Sequence, residues 1–195
     1  MQPLLTILIP TLKSRFDKLK EQVQRIEYQR QTYPVQILWL GDNKSISVGE
    51  KRNNLLGLAK GQWVCFVDDD DEILDGYVNN ILRTIEGSSH KKVITFFGKQ
   101  TDNGIPTQSF RYGKQYGRNH KQLIDGETWK VMLPDHLCIW KTETARLEEF
   151  PKKQLGEDHA WAQKMVRHYD ESDQVEIPDY LYHYHFNRNL TECRD

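Results

Sequence analysis

Residues 4–97 alternate short apolar runs with amphipathic stretches, and that alternation leaves few folds open to the chain. Residues 4–9 form an apolar run, interrupted by Thr6 and stopped by Pro10, that reads as a buried strand. Ser14 is placed to cap the next segment, where Phe16, Leu19, Val23 and Ile26 recur at the spacing of an amphipathic helix. A second strand spans 35–40 and ends at Gly41, Asp42 and Asn43. Ser47 and Glu50 have capping-box spacing ahead of a helix carrying Leu55, Leu56 and Ala59, with Gly61 as the stop. Residues 63–67 make a third strand that runs directly into Asp68, Asp69, Asp70 and Asp71. Asp75 caps a third helix through Val78, Leu82 and Ile85, and 93–97 complete a fourth strand. Strands alternating with helices imply an α/β domain with a mostly parallel sheet covered on both faces. Ligands of such sheets sit beyond the carboxyl ends of the strands, where Pro10, Thr11, Asp42 and the four aspartates lie.

The second half is less regular. Residues 98–121 are polar and punctuated by glycine, the signature of a long loop or a hairpin. Residues 137–140 read as a strand and 142–149 as a short helix; Leu155, His159, Ala162, Val166 and Tyr169 mark a longer helix, and 181–186 alternate as a last strand. At 195 residues and 37% hydrophobic, the chain predicts one domain with a modest core and a wide polar cleft. No apolar run approaches the roughly 20 residues that span a bilayer, so no transmembrane segment is expected. The first residues show no basic segment followed by an apolar run, so no secretory leader is expected. Cys65, Cys138 and Cys193 lack CxxC spacing, which argues against a disulfide framework or zinc site and predicts a reducing, cytoplasmic setting.

Four adjacent carboxylates after a buried strand repel one another at the reduced dielectric of a cleft. A hard divalent cation relieves that repulsion, and carboxylate oxygens suit Mg²⁺ or Mn²⁺, which commonly bridge substrate phosphates. The plainer alternative is a solvated acidic turn. Neither a Walker A loop nor GxGxxG is present, so an ATPase or dinucleotide-binding reading has no motif behind it. Lys51 and Arg52 fall just past a helix cap, where N–H groups attract anions, although a solvated helix face would also carry them. Glu157 and Asp158 open a helix, a position that favours acids through the macrodipole alone. His183 and His185 share one face of the last strand.

Four ordered blocks carry a more specific signal: residues 5–15 (LTILIPTLKSR), 47–53 (SVGEKRN), 59–72 (AKGQWVCFVDDDDE) and 156–158 (GED). In order and spacing they resemble family 2 glycosyltransferases of the GT-A fold, a resemblance covering about 1–100 and 133–190. The resemblance implies a single GT-A domain, Rossmann-like, with a nucleotide-sugar half at 1–100 and an acceptor half at 101–195. It implies inverting transfer of a hexose-type sugar from a nucleotide-diphospho-sugar, UDP-linked, with Mn²⁺ or Mg²⁺ as cofactor. Matched residue by residue, it places Pro10, Thr11, Asp42, Lys51, Arg52, Asn53, Asp68 and Asp69 on the donor. Asp68 and Asp70, with His185 as an extra ligand, would hold the metal. Asp158 would be the general base on the acceptor hydroxyl, with Glu157 beside it to orient the base or bind the acceptor. His136 resembles an acceptor-side histidine.

Charge is unevenly spread: residues 87–131 carry eight Lys+Arg against three Asp+Glu, and 148–179 carry four against nine. Within the basic segment, Phe110, Arg111, Tyr112, Lys114, Tyr116, Arg118, His120 and Lys121 interleave cations with aromatics. That pattern keeps open a metal-dependent nucleic-acid-modifying enzyme, whether a nuclease or a DNA-base glycosyltransferase, acting through 110–121. A solvated loop is the plainer reading. The acceptors left open are a glycan, a lipid-linked sugar and a nucleic acid. A non-catalytic module that keeps a nucleotide pocket is a further class. A nucleotidyltransferase would open on a Gly-rich basic loop, which the sequence lacks.

Overall fold

The computed structural model describes residues 2–187, and Cys193 lies outside them. The chain opens with strand β1 (Leu5–Leu12), whose eight residues are all buried, so both faces of the sheet are covered there. Pro10 does not end it, because parallel pairing with β2 (Val35–Asp42) carries β1 on to Leu12. Between them lies α1 (Phe16–Arg30), entered through a 3-10 turn at Lys13–Arg15. Arg15 occupies the N-cap position in place of Ser14, without a side-chain cap. The buried face of α1 holds Leu19 and Ile26 with two glutamines, Gln22 and Gln29. Gln22 donates to the Asp71 carbonyl (2.5 Å), and Gln29 bonds the Leu74 carbonyl and the Val78 N–H (both 3.0 Å).

Helix α2 (Val48–Leu58) starts as expected, with the Ser47 hydroxyl accepting from the Glu50 N–H (3.3 Å). Strand β3 (Trp63–Phe66) delivers the chain to the acidic turn, which is followed by a two-residue strand, β4 (Glu72–Ile73). Helix α3 (Tyr77–Gly87) is preceded by Gly76 at φ +81°, not capped by Asp75; the left-handed backbone there favours glycine. The region 98–121 resolves into hairpins. Strand β5 (Val93–Asp102) turns into β6 (Ile105–Tyr112), and β7 (His120–Ile124) pairs with β8 (Glu127–Met132). A short β9 (Ile139–Lys141) leads into α4 (Thr142–Ala145), then α5 (Glu157–Met165) and the long β10 (Gln174–Phe186).

The sheet runs β2-β1-β3-β9-β5-β6-β8-β7, with β10 on β5 and β4. It is mixed and mostly parallel: its longest ladders, β1–β2 and β5–β10, are parallel, whereas β9 enters antiparallel between β3 and β5. Helix α1 packs with α3, and α2 packs with α5. One core runs through both halves of the chain, from Ile7 and Phe66 to Trp140 and Trp161, so the chain forms a single compact domain.

The basic and aromatic segment is partly taken into the fold, while Arg118, His120 and Lys121 stay exposed. Phe110 and Tyr112 are buried in the core. Arg111 pairs with Glu176 and lies over the rings of Phe97 and Trp129, and Lys114 bonds the Tyr169 carbonyl and pairs with Asp170. For Phe110, Arg111 and Tyr112 the interleaving is the inside–outside alternation of β6.

Candidate active site

A cavity of about 270 Å³ opens over the carboxyl ends of the strands. Of the residues singled out in the sequence, Pro10, Arg52, Asp68, Asp69, Asp70, His136, Glu157, Asp158 and His185 line it. Thr11, Asp42, Lys51 and Asn53 do not, and each has a different task.

Lys51 is fully buried and points along the strand ends rather than into the cavity. Its ammonium lies 2.6 Å from Asp42 Oδ1 and donates to the Thr11 carbonyl at 3.0 Å. Asp42 Oδ2 also accepts from the Ser45 hydroxyl and the Ile46 N–H, each at 2.9 Å. Burial alone would raise the Asp42 carboxyl, but these donors outweigh it and hold it well below the ordinary carboxylate range. Asn53 uses both ends of its amide on the Phe150 backbone, at 2.9 Å each, and so anchors the segment before α5.

Arg52 is the hub of the cavity floor. Its guanidinium is buried between the Phe66 and Phe150 rings, donating to Asp68 Oδ1 (2.9 Å) and Glu157 Oε1 (2.7 Å). Asp68 Oδ2 faces His136 Nε2 at 3.3 Å, and the Asp68 N–H donates to the Tyr182 hydroxyl. Burial would raise the Asp68 carboxyl; Arg52 and His136 reverse that and keep it well below its ordinary value. Asp69 is buried, bonded by the Thr11 hydroxyl (2.6 Å) and Arg15 (2.8 Å). Asp70 is more open and 3.1 Å from Arg15. Burial and the neighbouring Asp68 push its carboxyl up to about 6 against the pull of Arg15. Asp71 turns away, accepting from the Tyr182 hydroxyl and the His185 N–H, each at 2.8 Å.

On the opposite wall, α5 begins at Glu157 after Gly156 in the left-handed conformation (φ +70°), two residues later than the periodicity from Leu155 suggests. Leu155 is exposed. Glu157 is buried against Arg52, whereas Asp158 remains 38% exposed and reaches into the cavity. Asp158 Oδ1 accepts from the His159 N–H (2.7 Å), and Oδ2 lies 4.0 Å from His136 Nδ1. Burial would raise Asp158, but His136, Arg52 and the His159 N–H bring it below its ordinary value. His136 therefore stands between Asp68 and Asp158. Burial and Arg52 act to lower its pKa, yet Asp68 and Asp135 prevail and raise it.

The three residues predicted to share a metal line one cavity, but their ligand atoms do not all lie within 4.8 Å of one another. Among the described residues, the groups whose ligand atoms lie within 4.8 Å of one another are Glu72 with His183 and His185, and Asp135 with His136 and Asp158. Thus His185 faces Glu72 rather than joining Asp68 and Asp70, because antiparallel pairing of β10 with β4 sets the Glu72 side of the acidic turn against it. Arg15, Asp135 and Lys130 also line the cavity and were not singled out in the sequence. Arg15 sits inside the 5–15 block, and Asp135 adjoins His136; nothing in the sequence pattern marks Lys130.

The fold matches S. aureus TarS 1–349 in complex with UDP-GlcNAc, with TM-score 0.64 and 18% identity over 100% of this chain and 61% of that one. The UDP complex of the same fragment matches with TM-score 0.60 and 18% identity over 95% and 60% of the two chains. The chain thus spans about three fifths of the TarS fragment, and the likeness establishes the GT-A fold. Among curated proteins, no sequence matches. Residues 13–138, from the turn before α1 to the strand beside the acidic segment, match the family model described as glycosyl transferase family 2. With its strand-end aspartates facing an acidic helix start across one cavity, the chain belongs to that family.

Proposed function

We propose that this chain transfers a hexose-type sugar from a nucleotide-diphospho-sugar, UDP-linked, to an acceptor hydroxyl with inversion at the anomeric carbon. The observation that carries the proposal is the placement of Asp158 across the cavity from Asp68–Asp70. A carboxylate held in its ionised form stands on one side, and a crowded oxygen-donor set stands on the other. The UDP-GlcNAc and UDP complexes of the TarS fragment support the choice of donor class.

The donor set fits a hard divalent cation. Asp70 is partly exposed, and the neighbouring carboxylates that raise its pKa are the repulsion such an ion relieves. Asp70, with Asp68, would hold Mn²⁺ or Mg²⁺, which when bound supplies neutralising charge to a diphosphate. Donor recognition falls to Pro10 and the Asp68–Asp69 pair at the cavity. Asp42, fixed by Lys51, Ser45 and the Ile46 N–H, would meet the base from the strand end. With Lys51 outside the cavity and the Arg52 guanidinium committed to Asp68 and Glu157, Arg15 is the guanidinium beside Asp69 and Asp70, positioned to meet phosphate oxygens.

Asp158 Oδ1 is taken by the His159 N–H, which leaves Oδ2 to receive the acceptor proton. The acceptor oxygen forms its bond to the anomeric carbon on the face opposite the phosphate. The carbon–oxygen bond to phosphate breaks, its electron pair leaving on the nucleoside diphosphate. Glu157, bound to Arg52, positions the start of α5 and hence Asp158. His136, between Asp68 and Asp158, would border the acceptor.

The test is a thermal-shift screen of UDP- and GDP-sugars with Mn²⁺ or EDTA, followed by NMR of the product's anomeric configuration. Stabilisation by a UDP-sugar that EDTA abolishes, with an inverted product, is expected. No shift with any nucleotide sugar, or retention of configuration, would overturn the proposal.

A further inference from the structure

We propose that Glu72, His183 and His185 form a second cation site, selective for a borderline transition ion such as Zn²⁺ and separate from Asp68–Asp70. Nothing in it depends on sugar transfer.

The site is built by strand pairing. His183 lies directly opposite Glu72 in the β4–β10 ladder, and His185, two residues on, projects from the same face. Glu72 Oε2 is 3.8 Å from His183 Nδ1 and 3.5 Å from His185 Nε2, and the imidazole centroids are 3.9 Å apart. Ligands at about 2.0–2.2 Å around a tetrahedral ion stand roughly 3.3 Å from one another, so the three atoms need only a small closure.

Neighbouring groups leave the ligating atoms available. Arg25 holds Glu72 through Oε1, the oxygen that does not face the histidines. Thr101 Oγ1 bonds His185 Nδ1 at 3.1 Å, which directs Nε2 towards Glu72. The His185 N–H is fixed on Asp71 at 2.8 Å. The His183 imidazole makes no hydrogen bond among the described residues: Nδ1 faces Glu72 beyond bonding distance, and Nε2 is buried without a partner. A cation bound at Nδ1 would give that atom the partner it lacks in the ladder and leave the imidazole proton on the buried Nε2.

Two imidazoles and one carboxylate suit Zn²⁺, Co²⁺ or Ni²⁺ and disfavour Mg²⁺. Three protein ligands, all partly exposed, leave a further position for water. An ion here would clamp β10 to β4 immediately after the acidic turn.

The experiment titrates the metal-stripped 195-residue chain with Co²⁺, following its visible d–d bands, and then displaces it with Zn²⁺ or excess Mg²⁺. Co²⁺ is expected to bind the wild type and Asp70→Ala alike, to be displaced by Zn²⁺ but not Mg²⁺, and to bind Thr101→Val about tenfold more weakly. Glu72→Gln and His183→Asn, with unchanged circular dichroism, are expected to lose the bands. If His183→Asn does not fold, Glu72→Gln on the partly exposed residue decides. Wild-type affinity in Glu72→Gln, or bands lost in Asp70→Ala, would overturn the site.

Discussion

Arg52 Nη1 lies 2.7 Å from Glu157 Oε1, while the other arm of the same guanidinium lies 2.9 Å from Asp68 Oδ1. A single buried cation thus ties the end of β3 to the start of α5, the two walls of the cavity. Breaking a buried pair by removing one partner costs more than the pair contributes, because a charge is left uncompensated.

Arg52→Met is therefore expected to lower stability by about 3–5 kcal/mol, since it strands both Asp68 and Glu157. Glu157→Gln, which leaves the Arg52–Asp68 contact intact, should cost clearly less. Urea unfolding midpoints of the two variants check the order; equal losses would mean that Arg52 does not act as a shared hub.

Asp158 is the carboxylate of the cavity that can be changed at least structural expense. Its short bond is to the neighbouring His159 N–H, and an asparagine oxygen can keep it. Asp158→Asn is expected to reduce turnover by roughly 10²–10⁴-fold, the usual worth of a general base, with nucleotide-sugar binding and melting temperature retained. Turnover near the wild-type rate would remove Asp158 from the reaction.

Burial, with Asp158 nearby, raises the Asp135 carboxyl from 3.8 to about 6. Between those values the folded protein keeps a proton that the unfolded chain has released, so this group's contribution to stability falls as pH rises and is lowest above about 6. Asp135→Asn removes that penalty while preserving an acceptor for the Leu137 N–H (2.9 Å). The variant should gain about 1–2 kcal/mol over wild type at pH 7.5, and little at pH 4. Denaturation at both pH values tests this, and a pH-independent difference would contradict it.

A Cβ added at Gly49 would come within 1.9 Å of the Pro151 carbonyl oxygen, a backbone atom with no rotamer to yield. Gly49→Ala should cost about 1–3 kcal/mol by overpacking and lower the melting temperature, with Gly57→Ala, which meets open space, as the control.

Much of the first hundred residues could be read locally. Strands β1, β2, β3 and β5 are apolar runs bounded by turn residues, and the signal is strongest in β1 and β3, where every residue is buried. Strand β10 shows the opposite case. Its first residues, Gln174, Val175 and Glu176, carry no strand pattern and are extended because they pair with β5, a partner about eighty residues earlier. The site divides in the same way. The sequence order of Asp68, Asp70 and Asp158 locates the cavity, yet nothing local shows that Lys51 is swallowed by Asp42 or that Arg52 is sealed between two rings. Buried cations are uncommon enough that their sequence reading defaults to the surface. That His185 also faces Glu72 follows from strand register, a property of two distant segments together.

The insertion of β9 between β3 and β5 has a kinetic consequence. The first hundred residues contain the donor-side aspartates but lack the strand that joins the two parts of their own sheet. That strand is Ile139–Lys141, and the partner on the other side of β5 begins only at Gln174. A ribosome releasing this chain would therefore expose a half-closed sheet until Gln174–Phe186 had emerged. Such long-range closure slows folding, so the nascent chain should lean on holdase chaperones until β9 and β10 arrive.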